Sequence, residues 1–136
     1  MSRDTESLRP GLRVELFVDD PAQSAAFYAS VLGFEVIRAD PSGYTSIARA
    51  GAVIGLNAVG RLPSAHPIKP GEGERRGRGV EIVVMTDAIE AAHSHAMSAA
   101  PTGVSPLVRQ PWGLTDFRVV DPDGYYVRFT TLSSPA

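Results

Sequence analysis

The chain contains no cysteine. That one absence removes disulfides, thiolate zinc sites and cysteine nucleophiles together, and it fits a cytoplasmic protein. Long apolar runs are also missing: none approaches the roughly 18 residues that a membrane-spanning helix needs. Met1 to Pro10 is polar and charged. It lacks the apolar centre of a secretory signal, so residues 1–11 read as a loose N-terminal arm. Neither sign of charge dominates, because 13 Lys and Arg stand against 15 Asp and Glu for a net charge of −2. No strong pull toward nucleic acid or an anionic membrane is expected. What is present is a chain of 136 residues that is 43% hydrophobic. This is enough for one domain with a real core.

The hydrophobic pattern runs twice. Leu12, Val14, Leu16 and Val18 alternate with Arg13, Glu15 and Phe17, which predicts a strand with one face on a helix. Asp20 followed by Pro21 predicts a helix start, with Gln23 at capping-box spacing and Gly33 as the stop. Three short strands follow at 34–37, 44–48 and 52–58, separated by Pro41-Ser42-Gly43 and Ala50-Gly51. The pattern restarts at Val80, where Val80, Ile82 and Val84 oppose Glu81, Val83 and Met85. Asp87 and Glu90 have capping-box spacing for a helix that runs toward Ala100 and ends at Pro101 and Gly103. Three more strands read at 104–108, 117–120 and 125–130, the last two joined by Asp121-Pro122-Asp123-Gly124.

The expected fold class is α+β: two βαβββ modules, 12–59 and 80–132, forming a curved mixed sheet cup with helices on the outer face. Neither half buries its sheet alone. Residues 133–136 read as a tail. Residues 60–79, rich in Pro, Gly and charge, read as a linker. It is either a solvated connector or a lid.

Several segments resemble the vicinal oxygen chelate superfamily of glyoxalases, extradiol dioxygenases and bleomycin-resistance proteins. They are Val18-Asp19-Asp20, Ser24, Phe27-Tyr28 and Val31-Leu32-Gly33-Phe34 in the first half. In the second half they are Phe117, Asp121-Pro122-Asp123-Gly124 and Phe129. Gln110-Pro111-Trp112-Gly113 is most similar to the bleomycin-resistance-like branch. The resemblance implies the paired-module fold, a small-molecule ligand and a homodimer. It leaves open whether the modules pair within a chain or across two chains. It does not imply one function, since the fold hosts enzymes and binding proteins alike.

In metal-dependent members the resemblance implies four inward donors, usually His, Gln or Glu. The matching positions here are Arg13, Gly55, Glu81 and Arg128. Glycine offers no donor and guanidinium stays protonated and repels a cation. No metal and no cofactor are expected. His93 and His95, two apart on a helix, face different ways and are expected near the surface; His66 has no recognisable partner.

Strand parity puts Arg13, Glu15, Phe17, Glu81, Val83, Met85, Tyr126 and Arg128 on one concave surface, with Asn57 from the fourth strand. Charges there need partners or water. Either Arg13 and Arg128 pair with Glu15 and Glu81 in place of a metal, or these charges meet a polar ligand. In the second case Phe17, Tyr126 and Trp112 would pack its flat apolar part. Trp112 fits a core residue equally well. The expected function is metal-free binding of a planar or aromatic, antibiotic-like small molecule. Bleomycin itself is a poor fit, because a cationic ligand calls for an acidic groove. The alternative is a lyase, isomerase or dioxygenase-like enzyme with Glu81 as general base, although a neighbouring arginine favours the charged carboxylate and so weakens a base. A third possibility is a structural protein with a vestigial cup.

Overall fold

A computed structural model describes residues 11–132. The N-terminal arm, apart from Gly11, and the tail at 133–136 lie outside the described residues. The elements are β1 (Val14–Val18), α1 (Pro21–Ser30), β2 (Glu35–Ala39), β3 (Thr45–Arg49) and β4 (Ala52–Ala58). After a single 3-10 turn at Val59–Arg61 come β5 (Glu81–Thr86), α2 (Ile89–Ala99), β6 (Val108–Arg109), β7 (Thr115–Val120) and β8 (Tyr126–Thr131). The α+β class and the doubled βαβββ order hold. The eight strands form two open four-stranded sheets, ordered β1-β4-β3-β2 and β5-β8-β7-β6. They are not one curved sheet.

Within each sheet the first strand of the module lies at one edge and runs parallel to the last strand, its inner neighbour. Leu16 pairs with Leu56 between β1 and β4, and Val84 with Phe129 between β5 and β8. The α1 start follows its expected chemistry: Asp20 Oδ1 accepts the N–H groups of Ala22 (3.0 Å) and Gln23 (3.3 Å). At α2 the expected capping box does not form. Ala88 caps without its side chain, and the Thr86 hydroxyl takes the Ala88 N–H instead. The strand simply supplies the cap before Asp87 is reached.

Period-two alternation sends Leu16, Val18, Ile54, Leu56 and Ile47 to the helix side of the first sheet. It sends Val84, Phe117, Val119, Val127 and Phe129 to the helix side of the second. These residues form one continuous core with Tyr28, Leu32 and Ala96 from the helices and their ends. The two helix-bearing faces therefore turn toward each other. The Arg49 guanidinium, from β3, lies 5.1 Å from the centre of the Phe129 ring. His95 Nε2 of α2 meets the Ser30 carbonyl of α1 at 2.8 Å.

A polar junction locks the modules at one end. The Tyr28 hydroxyl donates to Asp121 Oδ2 at 2.8 Å, and both residues are buried. The Tyr125 hydroxyl donates to the Phe17 carbonyl at 2.8 Å, and the Asp19 N–H donates to Asp123. Arg76 bridges Asp19 and Asp123, while Arg75 Nε donates to the Gly124 carbonyl. The segment read as a linker is thus tied to both modules at this point. Burial raises the Asp121 carboxyl above the usual aspartate range, against the pull of its three hydrogen bonds, and raises the Tyr28 hydroxyl further still.

Candidate functional site

The faces opposite the helices carry the chemistry. On the first sheet, Arg13, Glu15, Tyr44 and Asn57 form one cluster. Glu15 accepts from Arg13 Nε (3.2 Å), the Tyr44 hydroxyl (3.2 Å) and Asn57 Nδ2 (3.0 Å). Arg13 also donates to the Tyr44 hydroxyl. Beneath them lies Gly55, the register partner of Glu15. A Cβ at Gly55 would overlap both the Glu15 carboxylate and the Tyr44 hydroxyl. The glycine is what lets the carboxylate settle onto the strand. Phe17, two residues on from Glu15, is partly exposed on the same face.

On the second sheet the centre is Asp116, which is wholly buried. Its Oδ1 accepts from Arg118 (3.0 Å) and from Gln110 Nε2 (2.9 Å). Its Oδ2 has no hydrogen bond and lies 3.8 Å from an Arg128 terminal nitrogen. Arg128 Nε donates to Glu81 at 3.0 Å. Arg118 and Arg128 are register partners, so two like charges stand directly opposite on neighbouring strands. Such a pair is unfavourable without a counter-charge, and Asp116 supplies it. Val83, Met85 and Val120 are exposed around this centre, and Tyr126 is half-buried beside it.

The residues singled out from the sequence therefore fall into two groups. Arg13, Glu15, Phe17 and Asn57 share one sheet; Glu81, Tyr126 and Arg128 share the other. Among the described residues no hydrogen bond or ion pair joins the groups. Within a single chain the two groups stand on separate sheets whose helix-side faces share one core. Trp112 is 62% exposed, at the turn between β6 and β7, and is not a core residue. His93 is less exposed than expected: Nε2 meets the Ser105 carbonyl at 3.0 Å and the ring packs edge-on against Phe117. His66 Nδ1 accepts the Ile68 N–H within its own turn.

Sequence reasoning missed Tyr44, Gln110, Asp116 and Arg118. The signal for Asp116 and Arg118 was parity across Phe117, once β7 is begun at Thr115. The donor set does not fit a divalent ion. Arg13 and Arg128 are occupied with Glu15 and Glu81, Gly55 has no donor, and no three His, Asp or Glu residues among those described group around a possible ion.

Similar folds occur in TioX from Micromonospora sp. ML1 (20% identity, TM-score 0.70, covering 89% of this chain and 98% of that one). A glyoxalase/bleomycin resistance protein/dioxygenase from Nocardioides shares it at 19% identity and TM-score 0.71, over 94% of this chain and 87% of that one. A lactoylglutathione lyase from Agrobacterium tumefaciens shares it at 21% identity and TM-score 0.64, over 90% and 94%. At these identities the likeness shows the fold. No curated protein matches the sequence. The model of the Glyoxalase/Bleomycin resistance protein/Dioxygenase superfamily matches residues 12–129, and the chain belongs to that superfamily.

Proposed function

We propose that this protein binds a planar, partly apolar small molecule without the help of a metal ion, and that it works as a homodimer. The carrying observation is Gly55 with the Glu15 carboxylate packed onto it. Where the superfamily's metal-dependent members place a donor, this chain has a bare backbone that seats an Arg13–Glu15–Tyr44–Asn57 network. The split faces support the homodimer. Each chain presents one half of a cup on each of its two sheets, so a second copy can set its Arg13 face against the first copy's Arg128 face. Phe17 of one copy and Trp112 of the other would then flank one ligand. Covering exposed Val83, Met85 and Val120 also favours association.

The test combines three measurements on the full chain. Light scattering should report a dimer at micromolar concentration. Elemental analysis should find no stoichiometric Zn, Ni, Fe or Mn. A thermal-shift screen of polycyclic aromatics should give hits that are recovered unchanged. A monomer, or one metal per chain lost on Glu81→Gln, would sink the reading. Conversion of a hit into product would favour the enzyme, with Glu81 as the base.

A further inference from the structure

The second sheet's polar centre specifies more than a flat ring. We infer that Arg118 and Arg128 form a subsite for a carboxylate carried by an apolar ligand, with Asp116 as the residue that positions both guanidiniums. This rests on the small-molecule-binding reading above and names its ligand class.

The two guanidiniums face each other across β7 and β8 and share one wholly buried carboxylate. Asp116 holds Arg118 through Oδ1 and stands 3.8 Å from Arg128 through Oδ2, which has no hydrogen bond. Among the described residues, Arg118 Nε and one of its terminal nitrogens, and both terminal nitrogens of Arg128, make no protein hydrogen bond. Two partly buried guanidiniums with unused N–H groups match the two oxygens of a carboxylate.

The remaining counter-charge is Glu81, at the rim, with 37% of its side chain exposed against 20% for Arg128. An exposed carboxylate returns to water at little cost. An incoming carboxylate takes its place on Arg128 and bridges to Arg118, while Arg128 keeps Asp116. Charge stays balanced throughout the exchange. Val83 lies opposite Arg128 on β5, Met85 opposite Thr130, and Val120 opposite Tyr126, so the surround of the charged pair is apolar. An aliphatic or aromatic acid fits such a surface better than an inorganic anion does.

Calorimetric titration with quinoline-2-carboxylate and its neutral carboxamide tests this. The parent should bind the acid at least tenfold more tightly than the amide. Arg118→Gln and Arg128→Gln should erase that preference, and Arg118→Lys should keep part of it. Arg38→Gln, which breaks only the Asp40 pair, should change nothing. Glu81→Gln removes the competitor and should strengthen acid binding several-fold, an effect that a merely structural role would not give. Equal binding of acid and amide, or acid preference surviving both arginine variants, overturns the subsite while leaving the binding reading intact. If neither quinoline binds, acetate titration followed at the Arg118 and Arg128 Nε–H resonances decides. Shifts confined to those two arginines keep the subsite and end the aromatic reading; silence ends both.

Discussion

The two modules share topology, register logic and a polar centre opposite the helix, yet the centres are built differently. In the first, the carboxylate is Glu15, with 39% of its side chain exposed, and two of its three donors are the neutral groups of Tyr44 and Asn57. In the second, the carboxylate is Asp116, wholly buried, and it organises two guanidiniums. A charge cluster's worth follows its burial. Water screens the first network, whereas the second holds its carboxylate out of water beside two guanidiniums and an amide. The first module therefore offers an adaptable surface, and the second a prepared one.

The sharpest way to break this contrast is to remove each carboxylate in turn. Asp116→Ala strands two opposed guanidiniums and should cost about 3 kcal/mol, at the low end for a broken buried pair because both arginines can reach solvent. Glu15→Ala should cost no more than about 0.5 kcal/mol. Urea unfolding of the two variants measures both. Equal costs would mean that burial does not separate the modules.

A second comparison concerns the junction that both modules share. Tyr28→Phe leaves Asp121 Oδ2 buried without its donor and should cost about 1–2 kcal/mol. The cost should depend on pH. The folded Asp121 carboxyl is raised, so its stabilising contribution is present in full below the unfolded aspartate value and is lost as pH rises through the folded one. The Tyr28 hydrogen bond opposes that rise. Without it the folded value moves higher and the loss extends further, so the variant should fall further behind the parent at pH 7 than at pH 4. Unfolding curves across that range check the sign. One transition in every curve supports a single core; two separated transitions would show that the modules unfold independently.

Local pattern carried much of the architecture. The doubled strand and helix order, the Asp20 cap and the face on which Arg13, Glu15, Glu81 and Arg128 stand all follow from period-two alternation and turn chemistry. How the halves dock did not follow. That orientation rests on contacts such as Tyr28 to Asp121 and Arg49 to Phe129, made between residues far apart in sequence, and no short window reports them. Asp116 escapes for a smaller reason: the sequence pattern starts β7 at Phe117, two residues after its actual start at Thr115. Tyr44 reads as the start of a strand, but that its hydroxyl reaches Glu15, 29 residues away in sequence, is visible only in the folded chain.

A finer comparison, within the first module alone, isolates why Gly55 is a glycine. A glycine inside a strand ordinarily costs roughly 0.5–1 kcal/mol against alanine, so replacing it should help. Here the added methyl meets the Glu15 carboxylate and the Tyr44 hydroxyl. Both are ends of movable side chains, so the network should swing outward and Gly55→Ala should cost about 1 kcal/mol. The tyrosine near-ultraviolet difference spectrum should report Tyr44 entering water. In a Glu15→Ala background the carboxylate is gone and Tyr44 is released from it. The same Gly55→Ala change should then stabilise by about 0.5 kcal/mol. That reversal of sign is a coupling between the two positions, and a double-mutant cycle measures it directly. If Gly55→Ala costs the same in both backgrounds, the strand itself requires the glycine. The seated carboxylate would then be a consequence of that backbone and not its reason.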